Sequence, residues 1–183
     1  MKLKPTVRAA MFVGALLGTS ALFAAPMTGD DYRGAKSRIA AEYKDAKAAC
    51  DSVRDNAKDV CVEEAKGKEK IASAELEYNR SGKPKDATKL AIAKAAATYA
   101  VAKERCDDRT GNDKDVCVKE AKTAHTSAVA DAEADKKVTA ARKDAAEDKR
   151  DAQYNLAKEK CDALSGDNKS SCLAAAKSRY GKG

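Results

Sequence analysis

Apolar positions recur along this chain at the spacing of a helix face. One stripe runs Tyr32, Ile39, Tyr43, Ala46, Cys50, Val53, and a second runs Ile92, Ala95, Tyr99, Ala102, Cys106. Offsets of three, four and seven put such residues on one side of an α-helix. The stripe resumes after a second cysteine, as Cys61, Ala65, Ala72, Leu76 and as Cys117, Ala121, Ala124, Ala128, Ala132. A third copy keeps Tyr154, Ala157 and Cys161, but Lys143, Glu147 and Arg150 stand upstream where apolar residues would be. The pattern predicts an all-α protein in which two amphipathic helices flank each cysteine pair, with the cysteines on the buried stripe.

The pairs are Cys50 and Cys61, Cys106 and Cys117, and Cys161 and Cys172, all three at the offset i, i+11. From pair to pair the period is 56 and then 55, the mark of a repeated supersecondary unit. The shared pattern is Y-x2-A-K-x2-C-D-x6-K-x2-C-x3-A-K. Tyr43, Tyr99 and Tyr154 open it, Lys47, Lys103 and Lys158 follow, and Asp51, Asp107 and Asp162 come directly after the first cysteines. Lys58, Lys114 and Lys169 stand three before the second cysteines. The reading divides the chain into a leader at 1–24 and repeats at 25–80, 81–136 and 137–183, the last truncated.

Between the cysteines lies turn chemistry, as in "CDDRTGNDKDVC". Gly111 and Gly166 suit the left-handed position that ends a helix. Asn112, Asp167 and Asn56 are candidate N-caps for the helix that follows. Two antiparallel helices meeting there bring the cysteines opposite each other. In one unbroken helix they would sit about 16 Å apart, beyond the reach of a disulfide. The hairpin reading selects local bridges, Cys50–Cys61, Cys106–Cys117 and Cys161–Cys172. Each closes a short loop and contributes roughly 2–3 kcal/mol.

"SGKPKD" at 81–86 breaks the first repeat from the second. Its counterpart near Asp135-Lys136-Lys137 holds neither Gly nor Pro. Two architectures follow. If the chain turns near residue 136, six helices alternate up and down with all three bridges at one end. If it does not, residues 113–164 form a single helix about 80 Å long and the molecule is elongated. The extended array is the favoured expectation.

Composition narrows the picture. Beyond the leader there are only 17 large aliphatic residues, Met27 included, and no Phe or Trp. Burial energy scales with apolar area, so thin helix-on-helix contacts replace a thick core. The leader itself has Lys2, Lys4 and Arg8, an apolar run from Ala9 to Phe23 and small residues at Ala24 and Ala25. That is the layout of a cleaved secretory signal, too short for a membrane helix. Removing it takes the formal charge from +7 to +4. An exported chain with regular cysteine pairs reads as disulfide-bonded, so a periplasmic or secreted location is expected.

Candidate chemistry is sparse. His125 is the only histidine, and the cysteine spacing fits neither a C-x2-C redox motif nor a common zinc site. There is no G-x-S-x-G, no H-E-x-x-H and no phosphate loop. The reading is therefore no catalytic, cofactor-binding or metal-binding residues, and no enzyme. Tyr43, Tyr99 and Tyr154 read as packing residues beside the bridges. Lys47, Lys103 and Lys158 read as possible anion contacts.

The unit "YAVAKERCDDRTGNDKDVCVKEAK" resembles small exported bacterial proteins, rich in Ala and Lys, that carry the same C-D-x9-C pairs. Some of these are labelled TolA-like cell-envelope proteins. The third repeat departs from the unit at Ser170-Ser171, where the others have Asp-Val. The resemblance implies an envelope location and no defined activity. The expected function is a non-enzymatic structural or interaction module with an envelope protein as partner. The alternatives are a binder of anionic polymers (nucleic acid, lipopolysaccharide or cell-wall material) through the repeated lysines, and a periplasmic holdase chaperone.

Overall fold

The computed structural model describes residues 27–182, so the leader lies outside the described residues. Five helices follow in order: α1 (Gly29–Ala49), α2 (Asp55–Ser81), α3 (Pro84–Cys106), α4 (Gly111–Asp162) and α5 (Gly166–Tyr180), with a short 3-10 turn at Cys50–Ser52. The fold is all-α, and three disulfides staple its hairpins: Cys50–Cys61, Cys106–Cys117 and Cys161–Cys172, with Cα–Cα distances of 5.6, 5.7 and 5.6 Å.

Local chemistry explains the ends. Thr28 accepts from the Asp31 amide at 3.1 Å and its own amide donates to the Asp31 carboxylate, a reciprocal cap for α1. At the α2–α3 turn, Gly82 takes a left-handed conformation and Pro84 opens α3, as the "SGKPKD" break predicts. Ser81 donates to Asp86 at 2.7 Å across that turn, and Lys89 meets the same carboxylate at 2.9 Å. Those two contacts, Ser81 first, hold Asp86 below the usual carboxylate range.

The hairpin tips correct two expectations. Gly111 and Gly166 are left-handed, with φ of 56°, but they begin α4 and α5 instead of ending the preceding helices. Thr110 and Ser165, both extended, occupy the cap position, so Asn112 and Asp167 are not N-caps. The left-handed residue swings the chain into the new helix two positions earlier than capping by Asn112 or Asp167 would. Asp55 holds the equivalent place in the first repeat, with φ of 52°. Asn56 does not cap either. It donates 2.9 Å across to the Glu104 carbonyl near the end of α3.

Residue 136 lies inside α4, a single helix of 52 residues and about 78 Å. No Gly or Pro interrupts it after Gly111, and the six-helix arrangement is excluded. Bridges one and two therefore share one end of the array, while the third sits at the far end of α4. Each helix packs only against its neighbours in the chain. Residues 134–150 are exposed throughout, because Lys143, Glu147 and Arg150 replace the apolar stripe and leave nothing to bury.

The interior is correspondingly thin. Its only fully buried side chains among the described residues are Cys50, Cys106 and Cys161. Among the described residues Leu76 is the one large aliphatic that is buried, and apart from the cysteines the other buried apolar side chains are alanines. Gly67 allows a close approach of α2 and α3, since a Cβ built there would stand 2.9 Å from the Ala97 Cβ. At the open end of the first hairpin, the Tyr32 hydroxyl donates to Glu77 and Arg80 stacks 4.3 Å from the ring centroid. The bond to Glu77 raises the Tyr32 hydroxyl above its ordinary range.

Candidate functional site

The same constellation stands once at each of the three hairpin tips. The first cysteine is buried at the end of a helix, and the aspartate after it turns back across the loop. Lys58 reaches Asp51 at 2.8 Å, Lys114 reaches Asp107 at 3.0 Å and Lys169 reaches Asp162 at 3.0 Å. The ion pair thus lies inside the loop that each disulfide closes. Its hydrogen bond to Lys58 holds Asp51 below the usual carboxylate range, and the reciprocal contact lifts Lys58. Both partners recur plainly in the repeat pattern. Their pairing was not apparent because a separation of seven becomes a contact only when the chain reverses between them.

The repeated tyrosines sit half-buried in the hairpin seams. Tyr99 lies 5.1 Å from the His125 ring, and Tyr154 lies 6.5 Å edge-on from Tyr180. His125 and Tyr180 each stand eight after a second cysteine, and Glu69 holds that position in the first repeat. A tyrosine seven before one cysteine and a partner eight after the other are mirror positions in an antiparallel pair. The signal was present in the sequence, disguised by three different residue types.

Lys47, Lys103 and Lys158 are exposed, and none belongs to an ion pair among the described residues. The structure does not bring them together. Lys47 and Lys103 flank the first two tips, while Lys158 lies toward the other end of α4.

Open grooves run along the helix seams. The α2–α3 groove, 460 Å³, is lined by Ile71, Val101 and the paired Glu64 and Arg105. The α3–α4 groove, 600 Å³, holds Tyr99 and His125 with Ala124 and Ala128, two stripe residues that stay exposed because nothing covers that side. The α4–α5 groove, 740 Å³, is lined by Lys149, Arg150, Lys160 and Arg179 around Leu156 and Tyr180.

Among the described residues no three His, Cys, Asp or Glu are grouped to hold a metal ion, and every cysteine is bridged. No helix among them is long and apolar enough to cross a membrane. Three formed disulfides fit an oxidising compartment. No protein-family model, curated protein or solved structure matches the chain.

Proposed function

We propose that the chain is a non-enzymatic, exported helical-repeat scaffold of the cell envelope, whose α4 rod holds two disulfide-clipped bodies a fixed distance apart. One body comprises α1 to α3 and the start of α4; the other is the α4–α5 hairpin. The bare stretch of α4 between them carries this reading. A helix that buries nothing over residues 134–150 contributes no core, so its use lies in length and stiffness. Export through a cleaved leader accounts for the bridges, which a reducing cytosol would open.

The test shortens the rod and leaves all three disulfide-clipped tips in place. Excising residues 137–147 removes about three turns, or roughly 16 Å, and keeps the two ends close to their original phase. In cells that export the chain, the shortened form is expected to lose cross-links that the full-length form makes to cell-envelope components from both ends. Replacing the same residues by Ala, Glu and Lys in equal number preserves them. Cross-links indifferent to rod length would contradict the spacer role.

A further inference from the structure

On the C-terminal half of α4 the acids keep to one face, which Lys137 and Lys158 share, and the opposite face carries cations alone. At 3.6 residues per turn, Lys149, Arg150, Leu156 and Lys160 fall within about one third of the circumference. Asp144, Glu147, Asp148, Asp151 and Glu159 fall on the other side. The cationic face forms one wall of the α4–α5 groove, and α5 adds Arg179 and Tyr180.

No carboxylate lines this groove, in contrast to the α2–α3 and α3–α4 grooves, where Glu64, Asp131 and Asp135 offset the cations. Lys149, Arg150, Lys160 and Arg179 are all exposed and in no ion pair among the described residues. Of the acids beside them, Glu147, Asp148 and Glu159 lie on the other face of α4, and Asp151 and Asp162 are paired elsewhere. Asp151 meets Lys182 at 2.5 Å, an ion pair rather than an aligned hydrogen bond, and Asp162 meets Lys169.

An apolar side chain stands among these cations in the groove lining. Leu156, 58% exposed, is the most exposed large hydrophobic residue of the described chain. A wholly hydrophilic polyanion would neutralise the four cations and leave Leu156 in water. An anion with a hydrocarbon chain satisfies both, since basic side chains gain from an anionic lipid surface while an exposed leucine gains from burial.

We propose that the α4–α5 groove binds the phosphate headgroup of an anionic lipid, with Leu156 against its acyl chain. This site is not the lysine set Lys47, Lys103 and Lys158, and it does not rest on the spacer reading.

The test is flotation of the full chain with vesicles of phosphatidylglycerol, against vesicles of phosphatidylcholine alone. Binding is expected to the first and not to the second. The combined variant K149Q/R150Q/R179Q weakens it on the order of a hundredfold, from three lost cationic contacts. The variant K47Q/K103Q/K158Q leaves it unchanged. Leu156→Ser weakens vesicle binding about tenfold but leaves retention on heparin unaltered. All these positions are exposed, and superimposable circular dichroism spectra confirm the fold. Undiminished vesicle binding by the groove variant would overturn the proposal. So would vesicle binding indifferent to Leu156, which would make the groove a plain polyanion contact, or no preference for the anionic vesicles.

Discussion

At the residue scale, the left-handed position that opens each second helix is the sharpest constraint. Glycine adopts φ near +56° without a steric cost, whereas a Cβ there costs about 1 kcal/mol. Gly111→Ala and Gly166→Ala are each expected to lower stability by about 1 kcal/mol in urea unfolding. Asp55→Gly is expected to raise it, because Asp55 already bears that cost at φ 52°. The ion pair beside the bridge sets a pH dependence. Asp51 is lowered from its ordinary value of 3.8, so its stabilisation is present above that value and lost as pH falls through the lowered one. Lys58 is raised from 10.5, so its share is present below 10.5 and lost as pH climbs past the raised value. Asp51→Asn is expected to flatten both limbs of a melting-temperature profile against pH. These residues were legible as repeats, since Asp51 and Lys58 recur at fixed places. Their roles were not, because they depend on the backbone reversal and on a left-handed turn that Asp55 accepts in place of glycine.

At the element scale, two contacts decide whether helices stay together. Gly67 lets α2 and α3 approach to the point where a methyl group would meet Ala97. Gly67→Leu is expected to cost about 2 kcal/mol, overpacking exceeding the propensity gained by removing a helical glycine. Ala97→Gly added to it is expected to recover part of that loss. The α5 helix depends more heavily on its bridge. It has 15 residues and touches only α4, and a helix of that length is marginal on its own. Replacing Cys161 and Cys172 by Ser is expected to expose the amides of α5 to rapid hydrogen exchange while α2 and α3 stay protected. Helix existence and hairpin pairing were readable from the stripes and the cysteine spacing. Helix starts were misplaced because Asn112 and Asp167 look like caps, yet the preceding glycines already turn the chain.

At the scale of the whole molecule, the repeat period predicted three similar units, and the structure joins the last two through one rod. The sequence held the deciding clue in what it lacks, since 135–137 carries no Gly or Pro where 81–86 carries both. Weak burial upstream of the third repeat then left α4 with no buried side chain over 134–150. The α4–α5 groove was not legible, because its cations are unremarkable in a lysine-rich chain until the helix phase sorts them from the acids. The two-body architecture requires α4 to be continuous. Spin labels placed at Thr123 and Asp148, attached through non-canonical residues so that the bridges stay intact, report this by pulsed dipolar spectroscopy. A continuous helix predicts a narrow distribution around a separation of roughly 38 Å, from the axial rise over that span. A separation of about 10 Å, the spacing of two packed helices, would mean the chain turns near residue 136 and would contradict it.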